Sequence, residues 1–346
     1  MISKIIAQEE ISKVEDLIDK YDKFVIVTHI SPDGDAIGSS LGLFHYLNDL
    51  GCEVTIITPN SFPDFLKWIK GAKDVLNFEK YPEYATKLVT EADVIFCLDF
   101  NTLKRISALG NCVGTSKAKK VLIDHHPDPD NFCDVTISYP QISSTSELIF
   151  RLICRMGDFD AITKTGAEAI YTGMMTDTGN FTYNSNNEEI YYIIGQLLRK
   201  GIDKDQIYAN VYHNYSVDRF RMQGFTLFER MKIYPEFKTS FIWLTKKEQQ
   251  SFNTIKGDTE GFVNIPLSIR NIVFSVFMRE DEKLIKISFR SSGNFPCNTF
   301  ASQYFNGGGH FNASGGEFYG TLEDAIDIFQ KALPEYINQL KQEKII

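Results

Sequence analysis

The sequence has no apolar run approaching the roughly 20 residues a helix needs to cross a bilayer, so a membrane-spanning protein is not indicated. The stretch from Met1 to Lys20 alternates charged and apolar residues as an amphipathic helix would. It lacks the uninterrupted apolar core of a signal peptide, and the expected location is the cytoplasm. Basic residues are in deficit: 36 Lys and Arg against 45 Asp and Glu leave a net charge of −9. Proteins that track long nucleic acids by neutralising phosphates usually carry a basic surface, so that class is disfavoured. Paired cysteines are missing as well. Cys52, Cys97, Cys112, Cys133, Cys154 and Cys297 are scattered with no Cys-x-x-Cys spacing. That sets aside a disulfide frame or a zinc site in favour of reduced, partly buried thiols, with Cys97 packing a strand. No internal repeat, low-complexity segment or heptad array occurs.

What remains is a globular composition. Hydrophobic residues make up 43% and charged residues 23% of 346, enough chain for two domains. The first half alternates strand and helix patterns. Phe24–Val27, Glu53–Thr58, Val94–Leu98 and Val121–Ile123 read as strands. Ala36–Leu50, stopped by Gly51, and Asn187–Lys200, stopped by Gly201, read as helices, and Ser144-Thr145-Ser146-Glu147 as a capping box opening a helix over Leu148–Met156. Such alternation predicts an α/β fold with a doubly wound parallel sheet. Asp203–Met231, rich in Tyr and Phe, reads as a helical connector whose aromatics belong to the core. Beyond Thr239 strands dominate, with a hairpin around Arg279–Glu282, a short helix over Asn298–Phe305 and a closing helix over Thr321–Lys341. The predicted boundaries are residues 1–200, 201–235 and 236–346.

The informative residues stand where apolar runs end. His29-Ile30-Ser31-Pro32-Asp33-Gly34-Asp35 follows the first strand, Asp99 follows Leu98, Asp124-His125-His126 follows Ile123, and Asp177 follows Met174-Met175-Thr176, read here as a fourth such end. Ligands of open parallel sheets sit beyond the carboxyl ends of the strands. A lone strand-terminal Asp is usually a cap or turn residue, but four ordered clusters of acid and imidazole point to a metal site. Oxygen donors with a minority of imidazoles suit Mn²⁺, with Mg²⁺ as second candidate. Asp99, alone at its strand end, is the best bridging carboxylate. Two cations about 3.5–4 Å apart would clamp a phosphoryl group and generate hydroxide from water. Bound cations also reverse the local sign, so an acidic site can attract phosphate.

The order His-x-x-x-Asp-x-Asp, Asp, Asp-His-His, Asp resembles the DHH phosphoesterase superfamily. The resemblance implies one metal held by His29, Asp33 and Asp99, and a second by Asp35, Asp99, His125 and Asp177. It implies that His126 faces the substrate phosphate and that Asp124 orients the neighbouring histidines. Asp99, Asp124 and His126 are the catalytic candidates. Many members carry Asn where Ser31 stands, and the change is expected to be tolerated. An Arg at the spacing of Arg105, six residues beyond Asp99, also recurs in the family, and two roles stand open for it: a phosphate contact or a pair with a surface acid. In the C-terminal half, Arg290-Ser291-Ser292, Gly307-Gly308-Gly309-His310 and Ala313-Ser314-Gly315-Gly316 look like the associated DHHA1 domain, a smaller α/β unit. Consecutive glycines let backbone N–H groups approach an anion, and Arg290 could grip a phosphate bidentately. Arg290, Ser291, Gly307, Gly308, Gly309 and His310 are therefore the substrate-binding candidates of that half, whereas His45 and His213 read as structural.

The resemblance covers nearly the whole chain, with little left for an extra nucleic-acid-binding or sensor domain. It implies the nano-RNase and pAp (3′-phosphoadenosine 5′-phosphate) phosphatase branch. The expected enzyme is a Mn²⁺-dependent phosphoesterase for short single-stranded RNA or DNA oligonucleotides, linear dinucleotides such as pGpG or pApA, and mononucleotide bisphosphates such as pAp. The default assembly is a homodimer. A soluble cyclic-di-AMP phosphodiesterase and a nucleotide-binding regulator without turnover are the alternatives.

Overall fold

Strand positions follow the apolar runs. The computed structural model describes residues 3–343, which fall into unit 1, Met1–Asn214, and unit 2, Tyr215–Ile346. Unit 1 runs α1 (Gln8–Lys20), β1 (Lys23–Thr28), α2 (Gly34–Asp49), β2 (Glu53–Thr58), β3 (Leu76–Asn77), α3 (Pro82–Glu91), β4 (Val94–Leu98), α4 (Leu109–Thr115), β5 (Lys119–Asp124), β6 (Val135–Ser138), α5 (Thr145–Arg155), α6 (Lys164–Asp177), α7 (Glu188–Arg199) and α8 (Lys204–Tyr212). Its strands are all parallel, in the order β3-β2-β1-β4-β5-β6. The winding reverses between β1 and β4, as expected for a doubly wound sheet.

Helices cover both faces, so the central strands are apolar throughout. Phe24, Ile26, Phe96 and Ile123 face α2, α5 and α6 through Leu41, Ile149 and Met174. Val25, Val27, Ile95, Cys97 and Leu122 face α3 and α4 through Val89, Leu109 and Val113. All six cysteines carry free thiols, and no helix among the described residues is long and apolar enough to cross a membrane.

The N-terminal helix is shorter than its charge alternation suggested. Met1 and Ile2 lie outside the described residues, and Ser3 is drawn off by the Glu189 carboxylate, which accepts from its N–H and hydroxyl. At α5 the capping box is half-made. The Ser144 hydroxyl accepts from Glu147 N–H, but the Glu147 carboxylate accepts from Ser143, one residue earlier.

Helices α2 and α6 touch through glycine. A Cβ on Gly38 would lie 2.6 Å from Ala169 O and 2.7 Å from Gly173 N, both backbone atoms. On Gly195 of α7 it would meet nothing within 4 Å. Helix propensity alone favours Ala over Gly by about 1 kcal/mol. Gly195→Ala should therefore stabilise the protein by up to that amount. Gly38→Ala should instead destabilise it by about 1–3 kcal/mol, because rigid backbone cannot yield cheaply. Urea-unfolding midpoints moving in opposite directions are the expected result; equal shifts would contradict the close helix contact.

Unit 2 runs α9 (Val217–Glu229), β7 (Met231–Tyr234), β8 (Thr239–Leu244), α10 (Lys246–Ser251), β9 (Phe274–Glu280), β10 (Ile285–Ser291), α11 (Cys297–Tyr304), β11 (Gly308–His310), β12 (Ala313–Phe318), α12 (Leu322–Ala332) and α13 (Ile337–Gln342). Its sheet order is β11-β12-β10-β9-β8-β7, antiparallel except for β8 beside β9. The core is aromatic: Phe274, Phe289, Phe295, Phe300, Phe305 and Phe329 are fully buried.

Two expectations change in this half. The connector is no separate element. Ile207 and Val211 of α8 join the unit 1 core, whereas Met222 of α9 packs on Ile242, Leu244 and Phe277. The closing helix is interrupted by a 3₁₀ turn over Leu333–Tyr336, where Pro334 supplies no N–H to continue an α-helix.

Candidate metal centre

The strand ends deliver the clustered residues as a consequence of the winding. His29 follows β1 and Asp99 follows β4, the two strands that flank the reversal point, and Asp124 is the last residue of the next strand, β5. Asp33 caps α2, its Oδ1 accepting from Asp35 N at 3.0 Å and Ala36 N at 3.1 Å. That fixes the turn and leaves Asp35 buried in the first helical turn. Two residues here take left-handed backbone: Ser31 at φ +51° and Asp99 at φ +65°. Such conformations cost a non-glycine residue free energy and favour Asn. Ser31 is therefore not conformationally equivalent to the Asn of the related pattern; its N–H is held by Asn60 Oδ1 at 2.7 Å.

Asp177 does not end a strand. It is the last residue of α6, because the Met174-Met175-Thr176 run continues a helix whose Ala167, Ile170, Tyr171 and Met174 are buried with helical spacing. The apolar run resembled a strand only when read apart from those preceding turns.

Candidate ligand atoms lie within 4.8 Å of one another in His29 with Asp33 and Asp99, in Asp35 with His125 and Asp177, and in Asp99 with Asp124 and His126. Asp99 lies between the first two groups. Its Oδ2 is 3.4 Å from His29 Nε2, and its Oδ1 is 3.6 Å from His125 Nε2. His125 Nε2 is also 3.5 Å from Asp177 Oδ2 and 3.8 Å from Asp35 Oδ2.

Both imidazoles are oriented from behind by backbone carbonyls. His29 Nδ1 lies 2.8 Å from Ile30 O, and His125 Nδ1 lies 3.1 Å from Ile142 O. A carbonyl only accepts, so Nδ1 carries the hydrogen and each neutral ring offers its Nε2 lone pair to the carboxylates. Acceptors then face acceptors, and only a proton or a cation between them relieves the repulsion. This donor set fits divalent cations.

The titration behaviour has the same origin. Burial pulls the His125 pKa down, but Asp177, Asp99, Asp35 and Asp124 together outweigh it and lift it to about 9. His29 is likewise raised against burial, by the hydrogen bond with Asp99 and the charge of Asp33. Burial pushes the Asp35 carboxyl well up, helped by Asp99 and Asp177. Burial also opposes ionisation of Asp99, but the hydrogen bond with His29 and the three nearby imidazoles hold it well below the ordinary value. Asp124, buried and beside Asp99, rises to about 7.

Asp124 Oδ1 is 2.7 Å from His126 Nδ1 and fixes that ring. His125 is held by Ile142 O and also feels the Asp124 charge. The Arg105 loop is tied to the His29 turn by Ile30 N–H donating to Arg105 O at 2.8 Å, and the Arg105 charge reaches His29 and Asp124.

In unit 2, Arg290 Nη1 donates to Phe289 O. The Ser291 hydroxyl donates to Phe295 O and accepts from Asn312 Nδ2, so its bonds serve the fold. Gly308, Gly309 and His310 form the edge strand β11. A Cβ on Gly309, which has φ +135°, would lie 2.7 Å from Ala313 O, and one on Gly316 would lie 2.8 Å from Phe305 O. These two glycines are therefore required by close backbone approach within unit 2, whatever else the run contacts. His45 lies against Lys70 O, and His213 edges onto the Tyr208 ring.

One feature was hidden in the sequence. Ser143, Ser144, Thr145 and Ser146 are all buried. Asp35 Oδ2 accepts from Thr145 N–H at 2.6 Å, Asp35 Oδ1 from Ser146 N–H at 2.9 Å, and Asp99 Oδ1 from the Thr145 hydroxyl at 3.1 Å. The only outward sign was four consecutive hydroxyl residues where one suffices for a cap.

Known proteins resemble this chain in both halves. The DHH family, N-terminal domain, matches residues 23–174, and the DHHA1 domain matches residues 240–339. The chain is 27% identical over 303 residues to the bifunctional oligoribonuclease and PAP phosphatase NrnA of Bacillus subtilis, covering 87% of this chain and 91% of that one. It is 28% identical over 319 residues to the protein of the same name from Thermus thermophilus, covering 91% and 90%. The crystal structure of an exopolyphosphatase-related protein from Bacteroides fragilis superposes with a TM-score of 0.95 at 59% identity, covering 99% of this chain and 100% of that one.

Proposed function

We propose a function for a chain that belongs to the DHH phosphoesterase family and also carries a DHHA1 domain. It is a hydrolytic phosphodiesterase. On our reading it cleaves oligonucleotides of about two to five residues to mononucleotides and pAp to AMP, the activities named for its Bacillus and Thermus relatives. The observation that carries the reading is the split Asp99 carboxylate, one oxygen beside each imidazole–carboxylate group. The net charge of −9 suits a short substrate, which needs few phosphate contacts and no basic track.

The residues for one divalent cation are His29, Asp33 and Asp99; those for a second are Asp35, Asp99, His125 and Asp177. Mn²⁺ is the proposed ion because oxygen donors predominate with two imidazoles. When bound, such a pair supplies Lewis acidity at the phosphoryl oxygens and lowers the pKa of a water nucleophile. His126, its Nδ1 held by Asp124, contacts the phosphate through Nε2, and Arg105 adds fixed positive charge. In unit 2, Arg290, Gly307–Gly309 and His310 are the proposed substrate-binding residues.

The direct test is a panel of dinucleotide to pentanucleotide RNA, pAp, cyclic-di-AMP and polyphosphate with defined metals. Turnover of linear RNA and pAp in Mn²⁺ is expected. Turnover of cyclic-di-AMP or polyphosphate alone would replace the substrate reading, and tight binding without turnover would replace the enzyme reading.

Two further results are expected. Cation binding requires the Nε2 lone pair of His125, whose metal-free pKa is about 9, so at neutral pH a proton must leave. Raising the pH from about 7 to about 8 should tighten Mn²⁺ binding by about tenfold per proton displaced, levelling off above about pH 9. Calorimetry in buffers of different ionisation enthalpy reads the released protons; affinity independent of pH would refute the competition. Second, His310→Ala should lower kcat/KM for pAp by about tenfold or more, and hydrolysis of bis(p-nitrophenyl) phosphate much less, since only pAp carries a nucleoside to recognise. Equal losses would remove His310 from substrate binding.

A further inference from the structure

We propose that Thr145 is a positioning residue that keeps Asp99 shared between the two cation positions, an inference that rests on the two-cation reading above. Thr145 is the first residue of α5, and the helix does not need its hydroxyl. The cap is already made by Ser144, whose Oγ takes the Glu147 N–H. The Thr145 hydroxyl instead crosses 46 positions of sequence to donate to Asp99 Oδ1 at 3.1 Å. Its own backbone N–H donates to Asp35 Oδ2 at 2.6 Å. One fully buried residue thus holds a carboxylate of the second group and the carboxylate common to both.

The terminal torsion of an Asp side chain is broad and nearly two-fold, so packing alone holds its oxygens loosely. At Asp99 that matters, because Oδ2 must stay beside His29 while Oδ1 stays beside His125. A carboxylate oxygen has about two acceptor sites. The Thr145 hydroxyl occupies one on Oδ1 and leaves the other for a cation. Asp35 is held the same way: each oxygen takes one amide of the first turn of α5, from Thr145 and Ser146, and keeps one site. The first turn of α5 therefore sets the rotation of both carboxylates before any cation arrives. Thr145 touches neither substrate nor reacting atoms on this account.

The discriminating variants are Thr145→Val, which keeps the shape and removes the hydroxyl, and Thr145→Ser, which keeps the hydroxyl. Mn²⁺ is titrated calorimetrically into metal-free full-length protein, and electron paramagnetic resonance reads the coupling between neighbouring Mn²⁺ ions. Wild type should bind two coupled ions. Thr145→Val should bind one ion within about threefold of wild type and the other about 10–100-fold more weakly, the range for losing a residue that orients a metal ligand. The coupled signal should be lost, and kcat for pAp should fall with KM little changed. Thr145→Ser should restore both signals. Two coupled ions at wild-type affinity in Thr145→Val would overturn the proposal, as would failure of Thr145→Ser to rescue, which would assign the role to the methyl group. Wild type binding fewer than two ions would overturn the two-cation reading itself, a separate result from either. Thermal melting shows whether each variant is folded, and Thr145→Ala provides the same comparison should the valine variant not fold.

Discussion

Asp99→Ala should lower turnover of pAp and of dinucleotide RNA by at least about 10³-fold, with the far-ultraviolet circular dichroism unchanged. The size follows from its place between the two groups. Each of the other candidate ligands serves one group, whereas the Asp99 oxygens stand 3.4 Å from His29 Nε2 and 3.6 Å from His125 Nε2. Its removal opens both positions at once. Metal ions contribute several kcal/mol to transition-state stabilisation in two-cation sites, and each 1.36 kcal/mol is about tenfold in rate, so about three decades is a lower bound. Added Mn²⁺ should not rescue the variant, because the missing atom is the shared one. Recovery at high Mn²⁺ would show that Asp99 assists one ion only. Retention of full activity, or activity surviving complete chelation of wild type, would end the two-cation reading.

The second large effect concerns stability. Arg151, 1% exposed, joins three parts of unit 1. Its guanidinium pairs with Glu147 at 2.7 Å on its own helix and with Glu189 at 2.8 Å on α7, and Glu189 in turn holds Ser3. Arg151→Ala leaves the Glu147 carboxylate buried with only Ser143 as partner. Breaking a buried pair from one side typically costs about 3–5 kcal/mol, because the remaining charge has lost both water and its counter-ion. The urea midpoint should fall accordingly. Replacing both partners, Arg151→Met with Glu147→Leu, should recover much of the loss, since no charge is then stranded. A single-variant cost below about 1 kcal/mol would show that water reaches Glu147. The first turn of α5 holds Asp35 and Asp99, so the single variant should also weaken Mn²⁺ binding.

Both predictions concern groups that differ in how far they could be read from the sequence. The Asp99 strand end follows from a short apolar run that ends abruptly, and the same reasoning placed His29, Asp33, Asp35, Asp124, His125 and His126 at one edge. Asp177 lies with Asp35 and His125 at the end of a helix and not of a strand, because three apolar residues have no period and only the preceding turns of α6 reveal the helix. The Gly307–Gly309 run was read for anions, whereas in unit 2 the backbone fit of Gly309 and of Gly316 on the neighbouring strand is what the structure makes visible. Arg151 carried no local sign at all, since an Arg one turn from a helix end usually reaches water.

The sequence by itself determined the chemistry and its approximate address. Near-continuous apolar strands must be covered on both faces, helices between them must cross over, and the residues at strand ends must then share one edge. Only the tertiary structure decided how that edge is organised. The direction of each Asp99 oxygen depends on a left-handed backbone torsion at φ +65° and on a hydroxyl from the start of α5. Neither is encoded in a local pattern, because both arise from packing between segments far apart in the chain. What reads as four ordered clusters of acid and imidazole becomes one set of carboxylates and imidazoles around Asp99 once α5 and α6 close against α2.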